Sequence, residues 1–476
     1  MTAHLPLPPV AKLKKPPLHI GHRTAPQFSF TADSHLQLTR AGVQDFSISR
    51  HSQNLRMAMK PFSSIAGRGL SPLEIDWLRI LIHIYGADRM ATRTPIKNKP
   101  DLFWSRTITV NIPVSEPLRW NETSSAFQET LSFLTGDRWR LQFSEQTGSY
   151  AQQQVMKPAH DLGTPLLFSG GLDSLIGAIS LLEESTEQIH LISGATHPQL
   201  EKAQQNVVGS LRREFGDRIN HSNIEYGFRG TADRTKRGKE ATQRCRGLVH
   251  AGLGMMAAHL SQRDSFTICE NGIGAFNLPA SYAQQPGSCS LSVHPLFLQR
   301  LGSLFSQCFQ TKISVKQPAL FKTKGEMSTE TLSGKNYQFL IRDAFSCEKF
   351  PNYRSRKMQC GKCSSCLIRR AALLDSGEDD PGSDYDHDFL GEGLPQKKSL
   401  HHGYDHLQAY CARMNSVINP PAQASLLKWE FPELIQILPE LSTALGLEEE
   451  GLIQNIGSLN RHFLLEWNRT KDQIAA

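Results

Sequence analysis

The stretch Pro165-Leu-Leu-Phe-Ser-Gly-Gly-Leu-Asp-Ser174 decides how this chain folds. Its first four residues are a short apolar run of the kind that makes a buried strand. Two glycines then let the backbone turn, and Leu172 to Leu182 reads as a helix. A strand that passes through glycines straight into a helix aims several backbone N–H groups, and the positive end of the helix dipole, at one point. That point suits an anion. A Cβ at Gly170 or Gly171 would hold a phosphate away from the backbone, and the Ser169 and Ser174 hydroxyls add donors. Asp173 is the odd member, because a carboxylate repels polyphosphate unless it holds Mg²⁺ or orients the turn. Gly-x-x-x-x-Gly-Lys-Ser/Thr occurs nowhere in the chain, which argues against γ-phosphate transfer of the kinase or ATPase type. At average residue frequencies, Ser-Gly-Gly-x-Asp-Ser arises by accident in about one chain in a thousand of this length.

Outward from this turn the alternation continues. Ile189-His-Leu-Ile192 and Phe266-Thr-Ile-Cys269 read as strands, and Leu200 to Phe215 as a helix, which predicts an α/β, doubly wound parallel sheet. Upstream, Ser71-Pro72 is a good helix start before Leu73, Trp77, Ile80, Leu81 and Ile84. Arg106 to Ile112 and Trp139 to Phe143 alternate as strands do. The resulting division is a flexible Pro-rich leader over 1–20, an N-terminal α+β domain over 21–158, the sheet domain over 159–374, and an acidic loop with C-terminal helices over 375–476. The Trp residues (Trp77, Trp104, Trp120, Trp139) read as packing. Arg229 to Arg246 is strongly basic and reads either as a lid over polyphosphate or as a solvated loop.

At 476 residues the chain is long enough for two or three domains. Its net charge of +7 makes anionic partners plausible without choosing between nucleotides, nucleic acid and acidic protein faces. No apolar run of about 18 residues suggests a membrane span. The start lacks a secretory core, so a cytoplasmic location is expected. Nine cysteines do not form a secreted disulfide pattern. Cys245, Cys269, Cys289, Cys308 and Cys411 are scattered among apolar neighbours, whereas Cys347, Cys360, Cys363 and Cys366 cluster in two CxxC steps. Four thiolates at that spacing suit Zn²⁺ in a closed structural site. An iron–sulfur cluster would use the same ligands.

Ser-Gly-Gly-x-Asp-Ser resembles the signature of the PP-loop proteins, the N-type ATP pyrophosphatases of the adenine nucleotide alpha hydrolase-like fold. The resemblance implies cleavage of ATP between its α and β phosphates, leaving AMP on a substrate oxygen. It gives Ser169, Gly170, Gly171, Leu172, Asp173 and Ser174 the pyrophosphate end of ATP, with Asp173 and Ser174 catalytic. Together with the cysteines the chain is similar to the QueC family, which makes 7-cyano-7-deazaguanine and carries a Ser-Cys before a Cys-Gly-x-Cys-x-x-Cys-x-x-Arg run. Ser346-Cys347 and Cys360 to Arg369 match it, as do Arg246-Gly-Leu-Val and Pro318-Ala-Leu-Phe-Lys-Thr-Lys-Gly-Glu326. The likeness spans about 163–373. It implies a catalytic phosphate or carboxylate contact at Lys324, an anion clamp at Arg246, and substrate contacts at His197, Glu270 and Asn271. The cofactors it implies are ATP, Mg²⁺ and Zn²⁺.

The flanking regions are similar to the QueC-like components, QatC among them, of Qat and some CBASS anti-phage systems. This resemblance implies activation of a 7-deazaguanine and its transfer to a protein amine, with other defence proteins as partners. Three alternatives stay open: nitrile synthesis for queuosine, tRNA thiolation, and a retired fold serving as a scaffold.

Overall fold

The computed structural model describes residues 27–31, 37–38, 43–48, 53–92, 105–146, 161–229, 240, 242–281, 290–351, 357–398, 401–418, 427 and 430–474. The leader and most of the basic stretch between Arg229 and Arg246 lie outside them, as do Trp104 and Cys289. β1 (Gln27–Thr31), β5 (Thr107–Val114) and β6 (Arg138–Glu145) make a small parallel sheet in the order β1-β5-β6. A larger sheet takes β2 (Gln37–Leu38), β3 (Val43–Ile48), β4 (Gln53–Ala58), β7 (Thr164–Leu167), β8 (Ile189–Ala195), β9 (Ile219–Arg229), β10 (Ser265–Ile268) and β11 (Ser314–Lys316). Its order is β11-β10-β7-β8-β9-β4-β3-β2.

From β11 to β9 every pairing is parallel. β8 is buried along its whole length, as an inner parallel strand covered on both faces should be. The chain runs outward from β7 through β8 to β9, then returns to lay β10 on the other side of β7. Strand order therefore reverses between β7 and β10, and at such a switch point the carboxyl ends of an open α/β sheet leave a crevice. The Ser169–Ser174 turn leaves the end of β7, and Glu270 leaves the end of β10.

Helices cover both faces. α1 (Lys60–Ala66), α2 (Pro72–Met90), α3 (Pro117–Glu122) and α4 (Ser124–Thr135) belong to the N-terminal segment. The sheet region carries α5 (Leu172–Glu184), α6 (Pro198–Phe215), α7 (Cys245–Leu260), α8 (Gly272–Phe276), α9 (Pro295–Phe309), α10 (Lys324–Leu332), α11 (Gln338–Asp343) and α12 (Ser364–Asp375). The rest is α13 (Phe389–Glu392), α14 (His402–Ile418), α15 (Pro432–Leu445) and α16 (Glu449–Lys471). α5, α6, α10 and α11 share one core with β7 and β8, while α2, α7 and α9 share another that reaches the opposite face. None of the described helices is long and apolar enough to cross a membrane.

One expectation from the sequence meets a different arrangement. The N-terminal segment, read as a domain of its own, is divided between the two sheets. β4 pairs antiparallel with β9, so the β2–β4 strands extend the main sheet. α2 starts at Ser71 with a full capping box, yet it buries nearly every residue because it lies against α7. The acidic stretch read as a loop is mainly irregular backbone, and ion pairs fasten it to the fold. Asp380 and Asp388 receive Arg369 and Arg370 of α12, and Tyr385 bridges to Gln359 beside the cysteines.

Candidate functional site

The turn after β7 takes its shape from the two glycines. Gly170 has φ +83°, and a Cβ there would lie 2.7 Å from the Phe345 ring. Phe345 N donates to Gly170 O at 3.1 Å, which ties the turn to the segment that leads into the cysteines. Ser169 Oγ accepts from Gly171 N (3.2 Å), and Ser174 Oγ donates to Gly171 O (2.9 Å). Beneath the turn, Gln204 of α6 donates to Ser169 O (3.2 Å) and Gly194 O (3.3 Å). Its own carbonyl accepts from Asn223 of β9 (2.9 Å).

Asp173 lies in the first turn of α5 and is almost buried. Lys324, the first residue of α10, reaches it at 2.6 Å, and Asn271 Nδ2 donates to its other oxygen at 3.2 Å. The same Asn271 amide donates to Glu270 Oε1 at 3.1 Å, so it bridges two carboxyl groups, while Asn271 Oδ1 caps α8 through Gly274 N. Burial, reinforced by the Asp173 charge and partly offset by Lys324, pushes the Glu270 carboxyl up to about 8.

These groups line a cavity of about 380 Å³ at the carboxyl end of the sheet. Ser169, Gly171, Leu172, Asp173 and Ser174 form one end, with Glu270 and Lys324 beside them. The opposite wall is one face of α7, where Arg246, His250 and Leu253 stand at helical spacing. Among the described residues, the Arg246 guanidinium has no acidic partner. His250 meets the Tyr226 hydroxyl at 3.0 Å, and burial together with Arg246 lowers its imidazole to about 3, so the ring is neutral. Phe345 to Glu348, Phe350 and Ser365 close the third side.

The cysteines adjoin that side. Sγ atoms of Cys347, Cys360, Cys363 and Cys366 lie within 4.8 Å of one another, all buried, which suits one tetrahedral ion of the zinc type. Hydrogen bonds from the other three thiols hold Cys360 far below the ordinary thiol range, favouring a thiolate there. Gly361, at φ +70°, lets the knuckle approach His387 O, where a Cβ would be 2.0 Å away. Cys347 also lines the cavity, so the knuckle is one of its walls.

No protein-family model matches the chain, and no curated protein matches it at a significant level. What the site can do is therefore read from its own geometry.

The residues singled out from the sequence separate into groups. Ser169, Gly171, Leu172, Asp173, Ser174, Arg246, Glu270 and Lys324 converge on the cavity. Gly170 shapes its rim, and Asn271 lies buried beneath it. His197 lies outside: Pro198 starts α6, and the exposed His197 side chain caps that helix by accepting from Gln199 N at 3.1 Å. Thr196, its neighbour, lines the cavity instead. Sequence reading missed Gln204, His250 and Phe345. For His250 a signal existed, since it stands one helical turn after Arg246.

Proposed function

We propose that this chain is an ATP-dependent adenylating enzyme of QueC type, which activates a 7-deazaguanine carboxylate or amide and passes it to an amine of a partner protein in bacterial defence. The observation that carries the reading is the place of the Ser-Gly-Gly-Leu-Asp-Ser turn. It opens a thirteen-residue helix at the switch point of a parallel sheet, and shares its cavity with a lysine and with an arginine that has no acidic partner among the described residues. Such a helix end with added cations favours a polyphosphate.

In this reading the substrate oxygen attacks the α-phosphorus of ATP, the bond to the β-phosphate oxygen breaks, and pyrophosphate departs. The turn and Lys324 take up the charge that develops on the leaving group. The amine then attacks the acyl carbon, AMP leaves with the acyl–oxygen bond, and the surplus amine proton goes to a base. Glu270, raised to about 8, is the base assigned to it in this reading. Asp173 is the carboxylate that would hold Mg²⁺, which neutralises pyrophosphate when bound. The four thiols would hold zinc as a structural ion.

The test is ATP–pyrophosphate exchange with 7-carboxy-7-deazaguanine. Exchange is expected in the wild type and should fall at least ~100-fold in Asp173→Ala with folding intact. Absence of exchange with every 7-deazaguanine tried would mean that the fold serves as a scaffold. Prompt nitrile release with ammonium would reassign the acceptor from a protein to ammonia.

A further inference from the structure

Behind the polyphosphate end of the cavity stands the last helix, α16, which contributes nothing to the cavity lining. We propose that α16 is a positioning brace and that Glu466 is the residue through which it sets Lys324. This rests on the reading of Lys324 as a polyphosphate contact.

Glu466 is 3% exposed. Its Oε1 accepts from the Thr323 hydroxyl, and the Gly325 amide also donates to its carboxylate. These are the residues on either side of Lys324. Thr323 is the N-cap of α10 and holds a capping box, accepting from Glu326 N at 3.0 Å while its own amide donates to Glu326 Oε2 at 2.8 Å. A Cβ on Gly325 would lie 2.6 Å from Glu466 Cδ, so the close approach depends on that glycine. The backbone that carries Lys324 is thus gripped from α16 at two consecutive points.

The same face of α16 makes a second grip seven residues earlier, two helical turns away. Leu459 lies 2.6 Å from where a Cβ on Gly272 would be, and Gly272 N donates to Lys322 O at 2.9 Å. Gly272 follows Glu270 and Asn271 directly. Between the two grips, His462 Nδ1 meets Glu326 Oε1 at 2.6 Å. One helix face therefore seats both turns that deliver Glu270, Asn271 and Lys324.

A carboxyl is a costly way to fill space here. Burial, with Asp375 and Glu326 adding to it, pushes Glu466 up to about 7, and among the described residues no cation stands within ion-pair distance of it. A leucine would fill the volume with less desolvation. What leucine cannot do is accept from a hydroxyl and a backbone amide together and so fix the start of α10.

The experiment measures acetylation of Lys324 by an N-hydroxysuccinimide ester, read by peptide mass spectrometry, alongside ATP–pyrophosphate exchange. In the full chain, Lys324 is nearly buried and ion-paired, so it should label slowly. Glu466→Leu is expected to raise its labelling rate about tenfold and to raise KM for ATP by a similar factor. Glu466→Gln keeps an acceptor and should stay within about threefold of wild type in both. Gly325→Ala displaces the same contact from the other side and serves if Glu466→Leu does not fold. Unchanged Lys324 labelling in a folded Glu466→Leu or Gly325→Ala protein overturns the brace, whatever exchange does. Faster labelling in a protein whose wild type shows no exchange keeps the brace and removes the adenylation reading.

Discussion

Glu270 and Asp173 share one amide and one buried space, but only Asp173 has a cation in contact. Removing a carboxylate from water favours its neutral form, and a neighbouring negative charge does so further, hence the rise to about 8. An acid with that value is mostly protonated at pH 7 and becomes a base just above it. Amide formation from a preformed acyl adenylate should therefore accelerate as pH rises through about 8. Glu270→Gln should remove this limb and slow single-turnover transfer ~100-fold or more, while ATP–pyrophosphate exchange changes little. The same shift predicts a stability effect whose sign is fixed. A carboxyl raised in the folded state contributes stability that is complete below about 4.5, its ordinary value, and is lost as pH climbs through about 8. Glu270→Gln should thus gain on wild type in thermal melts between pH 5 and pH 9. A constant difference across that range would exclude the shift.

Among elements, the cysteine knuckle acts on the glycine turn through a short path. Phe345 precedes Cys347 by two residues, donates its N–H to Gly170 O, and rests its ring where a Gly170 Cβ would be. A metal held by Cys347 and the other three thiols would fix this segment in place. Cys363→Ser should lose zinc and folded yield together, since binding energy here is folding energy. Chelation of the wild type at neutral pH should lower Tm by several degrees (~5 °C) and weaken ATP binding in the same titration. Retained ATP affinity in a verified metal-free, folded protein would refute the coupling. These elements also show what the sequence made legible. β7, α5, β8, α6, β10 and the four cysteines were readable, because apolar runs, glycine turns and ligand spacing are local. β9 was not. Ile219 to Arg229 is rich in polar residues that look solvated, yet Asn223 is bound by Gln204 and His221 by Ser193. Those partners come from α6 and β8, and no window along the chain contains both sides of either contact. The same holds for Glu466, which lies 143 residues from the threonine it holds.

At the scale of the whole molecule, the segment before residue 161 is part of the fold that carries the cavity. Its β4 covers the edge of β9 through four paired residues. Its α2 lies along α7, where Trp77 Nε1 donates to Gly252 O at 3.1 Å and Leu81 occupies the space that a Cβ on Gly252 would need. Asp88 of α2 accepts from Cys245 N at 3.2 Å, at the start of the helix that carries Arg246 and His250. Its other oxygen holds Arg106, which also binds Asp137, and all three side chains are fully buried. A chain beginning at residue 161 would strip α2 from α7, whose Leu248, Val249 and Met256 are buried in the core the two helices share, and open the β9 edge to foreign strands. Each large apolar side chain so exposed costs ~1.5–3 kcal/mol, and a domain's whole margin is only ~5–15 kcal/mol. The shortened chain should therefore aggregate or melt without a sharp transition. The full chain should unfold the N-terminal segment and the sheet together, with tryptophan fluorescence reporting Trp77 and Trp120 in the same urea transition as zinc release. A stable, exchange-competent fragment from 161 to the end would instead make the N-terminal segment an accessory, and the capping of α7 by Asp88 would then have no part in placing Arg246.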